Sequence, residues 1–269
     1  MSDEIALNFI QQGKGDPPIV FVHGYLCRHQ DWREQIAYFG SSHAVVACDL
    51  RGLGQSPRGT APMSIETLGT DVANLIEFLD LRRVVLVGHS MGCRVVMETY
   101  GNAMDRISGL VLVDGSRGAV DRDEAFDLFN RVIAAIGYRT FASNLFEGMF
   151  FGDYPPTWKD ESLKNALAVP KDIGLPLYQN LVRWDADKSE AAMDAIAVPV
   201  LVLQSTYMNL ERKRVMLGPG QNSPYQNLVA ERVADATSET IAGVGHFSMI
   251  EAADVVNRAI EQFIAARVG

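Results

Sequence analysis

Val84-Val85-Leu86-Val87-Gly88-His89-Ser90-Met91-Gly92 is the stretch on which the reading of this chain turns. A β-branched apolar run leads directly into Gly-x-Ser-x-Gly, and Cys93-Arg94-Val95-Val96-Met97-Glu98-Thr99-Tyr100 behind it reads as a helix. With ordinary glycine and serine usage the five-residue pattern arises by chance in roughly one chain in ten of this length, so alone it decides little. A buried strand before it and a helix after it make it specific. In that context it is a nucleophile elbow, whose sharp turn holds the central serine in a strained conformation at the end of the strand.

Working outward, the same alternation of strand and helix repeats on both sides. Ile5 to Ile10 reads as a first strand, and Pro18-Ile19-Val20-Phe21-Val22 as a strand covered on both faces, ending at His23-Gly24-Tyr25. Asp31 to Phe39 reads as a helix, Ala44 to Cys48 as another buried strand, and Asp49-Leu50-Arg51-Gly52-Leu53-Gly54-Gln55-Ser56-Pro57 as a glycine-rich turn. Ser64 caps a helix with apolar positions at Val72, Leu75, Ile76 and Leu79. Leu110-Val111-Leu112-Val113 is a strand ending at Asp114-Gly115. Such alternation predicts parallel crossover units in a doubly wound sheet, where ligands collect beyond the carboxyl ends of the strands. His23, Ser90 and Asp114 all fall at such ends.

Between residues 117 and 190 the alternation stops. The segment reads as several short helices rich in large apolar residues, among them Phe129, Phe141, Phe146, Trp158, Tyr178 and Trp184, with breaks at Gly152, Pro155, Pro156, Gly174 and Pro176. This predicts a helical cap (117–190) inserted into a core made of 1–116 and 191–269, with an apolar pocket beneath it. Pro199 to Leu203 restores the strand pattern. Gln204 to Ser223 reads as a long polar loop, Glu239-Thr240-Ile241 as a last strand, and Met249 to Val268 as an amphipathic helix. Gly115 and Gly118 are candidate hinges for the cap.

Composition narrows the function classes. The net charge of −9 over 269 residues repels phosphate backbones, which argues against nucleic acid as a partner. No run approaches the ~20 apolar residues of a membrane span. The acidic start, with no apolar run behind it, predicts no signal peptide. Three cysteines without metal spacing (Cys27, Cys48 and Cys93) suit a reducing cytoplasm. Nothing in the sequence calls for a metal or an organic cofactor.

Ser90, Asp114 and His246 follow one another in the order nucleophile, acid, base. Together with the early His-Gly pair, the Arg-Gly-x-Gly-x-Ser turn and Gly-Val-Gly-His-Phe at residues 243–247, they make the chain resemble the α/β-hydrolase superfamily over nearly its whole length. The resemblance implies an oxyanion hole from the backbone N–H groups of Tyr25 and Met91. One departure stands out. The usual acid position, after the strand that follows the cap, reads Gln204-Ser205-Thr206-Tyr207-Met208-Asn209, with no carboxylate before Glu211, so the acid role falls to Asp114.

Two chemistries fit these residues. In a serine hydrolase, His246 takes the proton of Ser90, and Asp114 fixes the imidazole tautomer. The chain also resembles the cofactor-independent 3-hydroxy-4(1H)-quinolone 2,4-dioxygenases of the same fold, on Leu203-Gln204-Ser205-Thr206, on Trp158 followed by Pro176, and on His-Gly-Tyr at 23–25. That resemblance implies a small apolar aromatic substrate, a 2-alkyl-3-hydroxy-4(1H)-quinolone, with Trp158 among its contacts. A His246–Asp114 pair would deprotonate the 3-hydroxyl, and the anion would react with O₂ to release carbon monoxide. The dioxygenase is the main expectation, the serine hydrolase the alternative, and a non-catalytic small-ligand receptor a third class.

Overall fold

The computed structural model of the chain describes residues 5–118, 121–151, 156–209, 211 and 213–269. The chain runs through β1 (Phe9–Gln12), β2 (Ile19–Val22), a 3₁₀ turn at His29–Trp32, α1 (Arg33–Phe39), β3 (Val45–Cys48), α2 (Ile65–Phe78), β4 (Val84–His89), α3 (Met91–Asn102) and β5 (Ile107–Val113). Four helices then intervene: α4 (Arg122–Glu147), α5 (Pro156–Ala168), α6 (Lys171–Asp187) and α7 (Ser189–Asp194). The chain returns through β6 (Val200–Gln204), β7 (Thr206–Met208), β8 (Arg214–Met216), α8 (Pro224–Arg232), β9 (Ala236–Thr240), α9 (Ser248–Glu251) and α10 (Ala253–Phe263).

Among the described residues the main sheet has the order β1-β3-β2-β4-β5-β6-β9, antiparallel only where β1 meets β3. The order reverses between β2 and β4, so their carboxyl ends open the crevice that such a reversal creates. Every residue of β2, β3, β4 and β6 is buried, which is why these strands read as unbroken apolar runs. The helix pairs α2–α3 and α1–α10 pack against the sheet.

Five sequence expectations shift. The first strand starts at Phe9 rather than Ile5, because Asn8 ties its N–H to Ser56 Oγ and its side chain to Asp49, fastening the chain to the glycine-rich turn. The last strand is Ala236–Thr240, an edge strand whose central residues are exposed and which therefore carries no apolar run. The polar loop after β6 folds into the antiparallel hairpin β7–β8, closed at Asn209, whose N–H bonds Lys213 O at 2.9 Å. The C-terminal helix is divided into α9, α10 and a π turn at Ile264–Val268.

The fifth change concerns the cap. In place of several short helices, α4 runs for 26 residues and breaks once, at Gly137 (φ 76°, ψ 160°), a conformation essentially restricted to glycine. Gly152 and Pro155 lie outside the described residues, while Gly174 and Pro176 sit inside α6 instead of ending a helix. Gly115 is no free hinge: a side chain there would press within 2.2 Å of the Tyr225 ring. The two ends of the insertion are drawn together by Arg117–Glu190 (2.6 Å) and by the Gly118 N–H on Asp185 (2.6 Å).

Candidate active site

Ser90 sits at φ 54°, ψ −111°, between the buried strand β4 and the first turn of α3. The turn is possible because nothing larger than hydrogen fits beside it. A Cβ on Gly92 would lie 2.4 Å from the Val22 carbonyl oxygen. The N–H of Ser90 is taken by Val113 O (2.9 Å), which locks the elbow to β5. Met91 opens α3, so its N–H is among those a helix leaves without an internal partner, as an oxyanion donor requires. Tyr25 follows β2, and its hydroxyl donates to Gly174 O of α6 (2.8 Å), tying this loop to the cap.

His246 approaches from the loop between β9 and α9. Its N–H donates to Met149 O and its carbonyl accepts from His89 Nε2, each at 2.8 Å. Its own Nε2 lies 2.9 Å from Ser90 Oγ. The structure thus brings together the serine and the histidine expected from the sequence. The imidazoles of His23 and His89 do positional work. His23 Nε2 accepts the Leu50 N–H (2.9 Å) and its Nδ1 donates to Gly24 O (2.9 Å), which bends the loop before Tyr25. Burial lowers the pKa of His23 to about 4 and of His89 to about 3, so both rings are neutral.

Asp114 does not meet the expectation. It lies at the end of β5, fully buried and at φ 49°, but none of its hydrogen bonds reaches His246. Oδ1 accepts from Ser205 N (2.8 Å), Ser205 Oγ (2.6 Å) and Thr206 N (3.2 Å), and Oδ2 from Ser248 Oγ (2.5 Å). The carboxylate is consumed in pinning the end of β6 and the start of α9. Burial raises its pKa, and these four donors oppose the rise.

The far nitrogen of His246 faces a cation instead. Arg214, on β8, places Nη1 2.8 Å from His246 Nδ1 and 3.1 Å from Thr206 Oγ1, which itself lies 3.3 Å from Nδ1. A guanidinium only donates, so Nδ1 accepts and the neutral ring carries its proton on Nε2, donating to Ser90 Oγ. Burial first, and Arg214 next, hold the His246 pKa well below that of a free histidine. Burial also lowers Arg214, to about 10. Sequence reasoning missed Arg214 because the loop looked structureless. The usable signal was the pair of runs Thr206-Tyr207-Met208 and Arg214-Val215-Met216 flanking a charged turn, a hairpin pattern.

Trp158, expected at the substrate, spends one ring face on Arg33, whose guanidinium carbon lies 3.2 Å from the ring centroid. Arg33 also pairs with Glu161, so this part of α5 docks the cap on the core. Closer to the site are Tyr178 of α6, edge-on to Tyr25 at 5.3 Å and stacked on Phe129 at 4.6 Å, and Phe150, stacked on Phe247 at 4.9 Å. Cavities of about 460 and 220 Å³ lie among α4, α5 and α6, and neither is lined by Ser90, His246 or Tyr25. The cap is bound to the elbow helix by Arg94 of α3, which pairs with Asp185 of α6 through Nε (2.6 Å) and Nη2 (2.7 Å) and holds Ser90 O with Nη1 (3.2 Å). Among the described residues no group of three or more histidine, cysteine or acidic side chains is placed to hold a metal ion.

The profile of the alpha/beta hydrolase family matches residues 19–259. The chain belongs to that family. This alpha/beta hydrolase is 25% identical over 266 residues to 3-oxoadipate enol-lactonase 2 of Acinetobacter baylyi, covering 97% of this chain and 93% of the relative. It is 27% identical over 264 residues to a non-heme chloroperoxidase of Streptomyces lividans, covering 92% and 91%. Among solved structures, a thermophilic esterase from Thermogutta terrifontis superposes with TM-score 0.80 at 23% identity, covering 97% and 93%. The enol-lactonase of Burkholderia xenovorans gives 0.79 at 21%, covering 97% of each chain. At these identities the superpositions speak for the fold. No described helix is long and apolar enough to cross a membrane.

Proposed function

We propose that this alpha/beta hydrolase is a serine hydrolase that cleaves a carboxylic ester or lactone through an acyl-Ser90 intermediate. The observation that carries the reading is the 2.9 Å contact between Ser90 Oγ and His246 Nε2 on a strained elbow. In acylation the Ser90 oxygen bonds to the carbonyl carbon while its proton passes to Nε2, and the developing oxyanion lies toward the N–H groups of Tyr25 and Met91. Collapse breaks the carbon–oxygen bond, and Nε2 returns the proton to the leaving alkoxide. Water, activated by the same nitrogen, then releases the acid.

This cycle needs the Nε2 lone pair, which the resting contact with Arg214 denies. Withdrawal of Nη1 lets the ring proton sit on Nδ1, where Thr206 Oγ1 at 3.3 Å is the acceptor. Asp114 then acts through the turn it pins and through its charge. The dioxygenase reading requires the His246–Asp114 pair as its base, and its hydrogen bond is the contact this site lacks; the named relatives above also favour the hydrolase.

The test is covalent. A fluorophosphonate should label the protein at Ser90, found by peptide mass, and Ser90→Ala should lose both label and ester turnover by at least about three orders of magnitude. Retained turnover in Ser90→Ala, or oxygen-dependent cleavage of a 2-alkyl-3-hydroxy-4(1H)-quinolone with release of carbon monoxide, refutes the proposal.

A further inference from the structure

Arg214 is a cation without a counter-ion in contact. Among the described residues it enters no ion pair, and its hydrogen bonds are both made by Nη1, to Thr206 and His246. The carboxylate that acts on it electrostatically is Asp114, whose two oxygens are already filled by Ser205, Thr206 and Ser248. The guanidinia that are fully buried, Arg94 and Arg51, pair with Asp185 and Asp71, each through two nitrogens, whereas the half-buried Arg214 has no such partner among the described residues. Arg214 itself is only half-buried, so the Nε–Nη2 edge left over is open to a ligand, and that is the edge that takes a carboxylate bidentately.

The position is as telling as the missing partner. The guanidinium stands one imidazole ring away from the Ser90 hydroxyl, on the rim formed by the β7–β8 hairpin, with the Tyr178 phenol acting on it from the cap. A substrate whose scissile carbonyl sits at Ser90 would reach it with an anionic group on a short carbon chain.

We propose that Arg214 is the specificity-determining receptor for a substrate carboxylate, so that the enzyme takes esters or lactones of short dicarboxylic acids. The inference rests on the serine hydrolase reading and narrows it. It also assigns the resting contact a purpose. When a carboxylate engages the guanidinium, Nη1 is drawn off Nδ1, the ring proton moves to Nδ1 by exchange with water, and Nε2 becomes free to accept from Ser90. A substrate without the carboxylate leaves the imidazole in its donor form.

The experiment compares 4-nitrophenyl hydrogen glutarate with its neutral methyl ester in the wild type, Arg214→Gln and Arg214→Lys, at low and high salt. Kinetics are accompanied by calorimetric titration of glutarate and by fluorophosphonate labelling of Ser90. The wild type should favour the anionic ester in kcat/KM by about tenfold to a hundredfold, the span of a charge-assisted bidentate pair. Salt should shrink the ratio, Arg214→Gln should bring it close to unity, and Arg214→Lys should retain part of it. Equal kcat/KM for both esters in the wild type, or an unchanged ratio in Arg214→Gln, overturns the inference while labelled Ser90 leaves the hydrolase standing. If Ser90 is not labelled and neither ester turns over, the hydrolase reading falls. Glutarate binding then decides the Arg214 site alone: binding lost in Arg214→Gln sustains it, and no binding to the wild type overturns it.

Discussion

Replacing Asp185 by alanine tests whether the cap and the catalytic elbow are one cooperative unit. Arg94 and Asp185 are 2% and 1% exposed, and their two hydrogen bonds are 2.6 and 2.7 Å long. Removing one member of a buried pair strands the other, at a cost of about 3–5 kcal/mol. The N–H of Gly118 also loses its acceptor, worth about 1 kcal/mol more. At roughly 2–4 °C per kcal/mol for a chain of this size, Asp185→Ala should melt about 10 °C or more below the wild type. Urea unfolding followed by circular dichroism gives the free energy directly. Arg94 also holds the Ser90 carbonyl, so the rate of fluorophosphonate labelling should fall too. Arg94→Met/Asp185→Leu, which removes both charges at similar volume, should recover most of the stability. A loss below about 1 kcal/mol in Asp185→Ala, or a double variant no better than the single, would refute the claim that this pair is dry and binds the two layers.

Gly92→Ala would set a Cβ 2.4 Å from the Val22 carbonyl, a clash with backbone that no rotamer relieves. It should cost more than about 3 kcal/mol or abolish soluble expression, which a urea midpoint close to wild type would contradict. Trp158→Ala should lower stability by about 1 kcal/mol, the worth of its stack on Arg33, and leave kcat/KM for a neutral ester within about twofold; a tenfold loss would place the ring at the substrate after all. Acid should destabilise the fold. His23 and His89 titrate near 4 and 3 when folded and near 6.5 when unfolded, so the unfolded chain binds protons that the folded one refuses. Their contribution is complete above pH 6.5 and shrinks as the pH falls toward 4. His246, which burial also lowers, adds to them, while Asp31, which burial holds at about 6, and Asp114, which burial also raises, run the other way: two carboxyl groups against three imidazoles. The urea midpoint should therefore drop between about pH 7.5 and 5; a midpoint that rises would mean the buried imidazoles are charged.

The fold was legible because its decisive signals are local. Buried parallel strands such as Val84–Val87 and Leu110–Val113 are apolar on both faces, and the elbow needs only glycine, serine and a following helix. Ser90 and His246 were legible for the same reason: each sits in a turn whose residue types are dictated by close backbone packing. The partner of His246 was not. Asp114 occupies a sound position for an acid, yet Ser205 and Ser248, remote in sequence, compete for its oxygens, and hydroxyls carry no signal of where they will point. Arg214 was hidden by the shortness of β7 and β8, three residues each, too brief for a period of two to stand out. The stack of Trp158 on Arg33 was not legible, because an aromatic ring in a cap has the same composition signal whether it faces a ligand or a guanidinium.

The paired ends of the helical insertion carry a consequence for how such a molecule changes over time. Arg117 with Glu190 and Gly118 with Asp185 join the outgoing and returning chain at the neck. A segment whose ends are already held together adds little closure entropy when its interior grows or shrinks, about 0.6 kcal/mol for a doubling of length. The roof over Ser90 is thus an exchangeable part. Trading one helical insertion for another above the same neck would alter which molecules are admitted while the floor, with its serine and imidazole, keeps its geometry.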